Sequence, residues 1–108
     1  NSEINLYSRS KNSYAPCVQK YCNMARILGV SNLNEIVTVR ALINYIRFMS
    51  NEMGMPQSVS EACPNLTEEE YLSKISLMAK NALQDGCTAT NPRIPTLDDV
   101  IELYKAIW

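Results

Sequence analysis

Asp85-Gly86-Cys87-Thr88-Ala89-Thr90-Asn91-Pro92-Arg93 separates two stretches of helical periodicity, and its reading decides the fold. On its N-terminal side Leu72, Ile75, Met78 and Ala82 recur at helical spacing and stop before Gly86. A glycine there is expected to take the left-handed conformation that closes a helix at low steric cost. On its C-terminal side Pro92 and Pro95 prevent immediate resumption, and Thr96 is placed to cap a helix from about Leu97. The nonapeptide is therefore a short loop held between two helices. It contains no histidine, no acid–base pair and no glycine run that would cradle a phosphate. These residues define a helix-loop-helix, not a reaction.

Working outward, Leu97, Val100, Ile101, Tyr104 and Trp108 give the last helix its apolar face, with Asp98 and Asp99 in its first turn. Upstream, Thr67-Glu68-Glu69-Glu70 reads as a capping box that opens a helix running to about Gln84. Its apolar side is Tyr71, Leu72, Ile75, Met78, Ala79, Ala82 and Leu83. Before it, Val59 to Ala62 suit one short helical turn, broken at Pro64. The longest helix is expected from about Leu33 to Met53, with Ile36, Val39, Ile43, Ile46, Met49 and Met53 repeating at three and four. Asn32 is its expected cap, with Glu35 three residues on, and Gly54 and Pro56 end it. A first helix starts near Ala15, where Pro16 is tolerated, buries Val18, Tyr21, Cys22, Ala25 and Leu28, and closes at Gly29. Residues 1–14 are polar and read as an irregular lead-in. No stretch alternates as a strand does. The expected fold class is all-α, one domain over 1–108 built as a small bundle of about four main helices.

Composition narrows the function classes. With 46% apolar and 19% charged residues the 108-residue chain is globular in type and able to build a modest core. A formal net charge of −1 gives no basic footprint for nucleic acid or an anionic membrane. No apolar run approaches the ~20 residues that span a bilayer. The chain starts at Asn1 with neither an initiator methionine nor the apolar segment of a signal peptide, which favours a piece of a longer protein. Cys17, Cys22, Cys63 and Cys87 are compatible with two disulfides in three pairings, but buried reduced cysteines are the favoured reading. The sequon Asn65-Leu66-Thr67 is better used through Thr67 as a helix cap.

Cys87 is the one side chain that chemistry singles out. It follows a helix C-terminus, whose partial negative charge opposes a thiolate, and a chain with no histidine has no customary base for it. Covalent catalysis by Cys87 is not expected; a small buried residue in a tight loop is the plain alternative. Arg93 is expected to pair with an acid such as Asp85 and pin the loop, or to reach another domain. Asn91 is suited to bond loop backbone or to start the turn at Pro92, and Thr88 to satisfy groups left unpaired at the helix end. Asp85, Thr88, Asn91, Pro92 and Arg93 are thus the loop-structuring set. Glu68 to Glu70 read as an acidic first turn rather than a metal site.

Residues Met78 to Trp108 resemble the C-terminal end of iron-containing (group III) alcohol dehydrogenases. That family finishes with an apolar helix, then Asp-x-Cys-Thr-x-x-Asn-Pro-Arg, then a helix ending in a Leu-Tyr-Lys-like run. Asp85, Cys87, Thr88, Asn91, Pro92 and Arg93 match it in type and spacing. The similarity extends weakly through Met53-Gly54-Met55-Pro56 and the helix from Tyr21 to Val30.

The resemblance implies a parent enzyme with an N-terminal α/β domain holding NAD(P) and a C-terminal helical domain holding iron or zinc. It implies hydride transfer between NAD(P)(H) and an alcohol or aldehyde, in the cytoplasm. The family's ligands, one aspartate and three histidines, precede the matched region, and this chain has no histidine. No catalytic, cofactor-binding or metal-binding residue is therefore expected in this chain, and the fragment alone is expected to be inactive. Cys87 becomes, by the same resemblance, a wall of the substrate pocket. The expected partners are the upstream part of the same polypeptide and a small alcohol or aldehyde, with a homo-oligomer allowed and no nucleic acid or membrane. The rival reading is a small secreted helical binding protein stapled by disulfides, and a third is a helical adaptor docking its Met and aromatic face on a partner.

Overall fold

Pro16 has no backbone N–H, and at the second position of a helix none is needed. In the computed structural model, which describes residues 15–108, helix α1 accordingly spans Ala15–Ile27. The polar lead-in expected over 1–14 lies outside the described residues. The chain then forms α2 over Glu35–Glu52, the short α3 over Val59–Ala62, α4 over Glu68–Gln84, a 3-10 turn over Thr88–Thr90 and α5 over Leu97–Ala106. Among the described residues there is no strand, and the architecture is all-helical with four main helices. None of these helices is long and apolar enough to cross a membrane. The chain divides into two units, one ending at Met53 and the other starting at Gly54.

The first unit is a helical hairpin. Helix α1 closes as a Schellman motif: Val30 N–H donates to Ala25 O at 2.9 Å and Gly29 N–H to Arg26 O at 3.0 Å. Gly29 supplies the positive φ of 74° that this geometry requires. Ala25 is fully buried and Cys22 nearly so, and the Cys22 thiol lies 3.9 Å from Glu35 O at the start of α2. Burial raises the Cys22 pKa, with the Glu35 charge adding to it, so the thiol is held neutral.

The start of α2 differs from the sequence expectation. Its cap is Asn34, not Asn32: the Asn34 side chain accepts from Ile36 N and Val37 N at 2.9 and 3.2 Å. Asn32 is engaged elsewhere. The hydroxyl of Thr38, a residue only 1% exposed, accepts from Asn32 N–H at 2.9 Å. It donates its single proton between Asn32 O and Asn34 O, both 2.9 Å away. The turn is thus folded onto a buried hydroxyl, and the helix starts at Glu35, two residues later than the expected Leu33. The buried stripe also differs. Thr38 and Leu42 are its centre, while Ile36, Ile46, Met49 and Met53 stay exposed.

In the second unit α4 and α5 pack through Tyr71, Ile75, Ala79 and Val100, all buried. The Thr67 hydroxyl accepts from Glu70 N at 3.2 Å, and three glutamates follow in the first turn, where the helix dipole favours them. The end of α5 is capped by two other elements. Tyr71 Oη donates to Tyr104 O at 2.7 Å, and its ring stacks on Trp108 at 4.9 Å between centroids. Val59 N–H and Ser60 N–H, free donors in the first turn of α3, bond Ile107 O and Trp108 O at 2.8 and 2.9 Å. Orphan amides at the start of α3 and carbonyls after α5 thereby satisfy one another, and the Tyr71 side chain takes a further carbonyl of α5.

Candidate functional site

The loop after α4 is built from short side chains bonding backbone. Gly86 does not take the left-handed conformation expected of it; among the described residues only Gly29 and Gly54 have positive φ. The helix ends instead on an extended Asp85, with φ −68° and ψ 130°. The Asp85 carboxylate accepts from Cys87 N–H at 2.8 Å, an Asx-type turn. The Thr88 hydroxyl donates to Ala82 O in the last turn of α4. These two bonds do the terminating work assigned to a left-handed glycine. Downstream, Thr90 N–H and Thr90 Oγ1 both donate to Cys87 O, at 3.2 and 2.8 Å. Asn91 Nδ2 donates to Arg93 O across Pro92.

Cys87 is thus fixed by both of its backbone groups, while its side chain is exposed as a free thiol. The plain expectation of a buried loop cysteine does not hold. All four cysteines are free: Cys22 buried, Cys17 half-buried, Cys63 and Cys87 exposed.

Arg93 does not pair with Asp85. Its Nη2 lies 3.3 and 3.2 Å from the two carboxylate oxygens of Asp99, both side chains being about three-quarters buried. Asp85 is already committed to Cys87 N–H, whereas Asp99 presents both oxygens from the first turn of α5. Asp99 also completes a reciprocal capping box: its carboxylate accepts from Thr96 N–H at 2.9 Å, and its own N–H donates to Thr96 Oγ1 at 3.2 Å. The Thr96 backbone and hydroxyl bonds, then Arg93, hold the Asp99 carboxyl below the usual range. Asp99 is the organising residue that the sequence reading did not single out. The signal was present as Thr96-x-x-Asp99, a capping box with aspartate in place of glutamate.

Among the described residues no three His, Cys, Asp or Glu side chains converge on a common point. The loop presents an exposed thiol beside the Thr88 and Thr90 hydroxyls, tied to α4 through Thr88 and to α5 through Arg93.

Residues 4–108 match the Fe-containing alcohol dehydrogenase family, C-terminal. The chain belongs to that family. It is similar to an NAD-dependent methanol dehydrogenase of Bacillus methanolicus, 33% identical over 90 residues, covering 81% of this chain and 22% of the relative. It is similar to a lactaldehyde reductase of Escherichia coli (strain K12), 31% identical over 94 residues, with 83% and 22% covered. An aldehyde-alcohol dehydrogenase of Clostridium acetobutylicum is 29% identical over 98 residues, with 83% and 11% covered. The chain thus spans about a fifth or less of the length of these relatives. The side chains of this segment do not fit the family's metal, since the sequence has no histidine and no carboxylates or thiols cluster among the described residues.

Proposed function

We propose that the chain is the C-terminal helical part of a metal-dependent alcohol dehydrogenase that moves hydride between NAD(P)(H) and a small alcohol or aldehyde. In the oxidising direction the alcohol carbon gives up a hydrogen with two electrons to the nicotinamide, and the hydroxyl proton leaves to solvent. Iron or zinc and NAD(P) are held by the preceding polypeptide, and this chain contributes no ligand to either. Its own part is the loop from Asp85 to Arg93, with Cys87 as a wall of the substrate pocket. Asp85, Thr88, Asn91, Pro92 and Arg93 keep that wall rigid. The enzyme works in the cytoplasm, a setting in keeping with four free thiols. The observation that carries the reading is the Asp-x-Cys-Thr-x-x-Asn-Pro-Arg loop inside a family match over 4–108.

The test is to sequence the gene upstream of the codon for Asn1 and assay the full-length product with NADH and NADPH against short aldehydes. An in-frame region encoding an aspartate and three histidines on helix-patterned segments, with metal-dependent aldehyde reduction by the product, is the expected result. A start codon or a cleavable signal peptide directly before Asn1 would overturn the proposal. So would robust turnover by residues 1–108 alone.

A further inference from the structure

One apolar stripe runs the length of α2, but only half of it is covered. Thr38, Leu42, Ile46, Met49 and Met53 follow one another at four, four, three and four residues, so their side chains lie on one face of the helix. Thr38 and Leu42 are 1% and 5% exposed, whereas Ile46, Met49 and Met53 are 52%, 40% and 66% exposed. Helix geometry accounts for the break. The 13 residues of α1 reach ~20 Å and the 18 of α2 ~27 Å. Cys22 of α1 already faces Glu35, the first residue of α2. Seven residues of α1 remain between Cys22 and Ala15, which carries cover along α2 only as far as the region of Leu42 to Tyr45. Ile46 onward overhangs the start of α1.

We infer that this overhanging stripe, Ile46, Met49 and Met53, seats an apolar segment of the polypeptide that precedes Asn1. The inference rests on the proposed function, in which this chain is the C-terminal part of a longer enzyme. Two observations favour that occupant over a second copy. The chain accounts for only 22% of the methanol dehydrogenase and lactaldehyde reductase it matches, so a long upstream polypeptide is available. That polypeptide is joined to Ala15, at the start of α1, through residues 1–14, so only a short stretch of chain separates it from the overhang and its effective concentration there is high. Two methionines in the stripe also suit an adaptable apolar contact.

The experiment uses the full-length gene product with Met49→p-benzoylphenylalanine, irradiated at a dilution where it is monodisperse, followed by peptide mapping. Adducts on residues upstream of Asn1, in the same molecule, are expected. Adducts on a second copy or within 1–108, or no adduct, would overturn the inference. A second measurement guards against misfolding of that variant. In the unmodified full-length protein, peroxide should oxidise Met49 and Met53 about tenfold more slowly than after denaturation. Rates within about twofold of the denatured protein would show the stripe open to water and defeat the inference. Failure of these tests with upstream dehydrogenase sequence present leaves the family function standing; a start codon before Asn1 removes both.

Discussion

Replacing Thr38 by valine isolates the contribution of one buried hydroxyl to the first unit. Valine has nearly the same shape and the same β-branch, so the helix and its packing are preserved. What is lost is the acceptor for Asn32 N–H and the donor shared by Asn32 O and Asn34 O. A buried group left without its partner costs roughly 1–3 kcal/mol. Asn32 itself is exposed, so water reaches the freed amide part-way and the lower half of that range applies. The expected loss is about 1–2 kcal/mol. Thr38→Ser supplies the control, because it keeps the hydroxyl and gives up one methyl, about 0.8 kcal/mol. Urea unfolding followed by circular dichroism measures both, and with a slope of about 1–3 kcal/mol per molar the valine variant should lower the midpoint by roughly 0.3–2 M. Amide exchange at Asn32 should accelerate in the valine variant and not in the serine one. A valine variant as stable as the parent, or a serine variant that is worse, would refute the turn's dependence on the hydroxyl.

Other outcomes are expected elsewhere. Tyr71→Phe keeps the Trp108 stack and removes the bond to Tyr104 O, so it should cost about 1 kcal/mol in thermal or urea unfolding; an unchanged midpoint would show that Tyr71 Oη does not cap α5. Gly54→Ala, at φ 70° with open space around the added carbon, should cost about 1 kcal/mol through backbone strain alone, measured the same way. Asp99 has a folded pKa below its unfolded one, so its contribution is complete above the ordinary carboxylate range and lost as pH falls through the folded value. Asp99→Asn should therefore flatten the acid limb of a stability–pH curve below about pH 4, and a curve superimposable on the parent's would remove Asp99 from that role.

The helices were legible because their punctuation is local. Pro16 and Gly29 bound α1, Pro64 ends the stretch that holds α3, and Thr96 starts α5 where its hydroxyl meets Asp99 N. The loop was legible as a family motif, yet its bonding was not. Donors competing for one carboxylate cannot be ranked from spacing, and Cys87 N–H took Asp85, which left Arg93 to Asp99. The same competition moved the α2 cap from Asn32 to Asn34, since nothing in the sequence says that Thr38 is buried. Periodicity marked Ile46, Met49 and Met53 as apolar, but which half of a stripe is covered depends on the length of the neighbouring helix. Cys87 was identifiable as the chemically distinctive residue; its exposure was not, because burial of a loop side chain is decided by tertiary contacts.

The bonds from Val59 and Ser60 to Ile107 and Trp108 also set an order of events on the ribosome. Each joins residues 48 positions apart, while the hairpin's Cys22–Glu35 contact spans 13. The hairpin can close as soon as Met53 is clear of the exit tunnel. The second unit cannot, because α3 lacks acceptors for its first amides and Tyr71 lacks its stacking partner until Trp108 emerges. Translation that stalls short of that residue would release a chain with one unit able to close and the other left open, with Tyr71, Ile75 and Ala79 presented to chaperones and proteases.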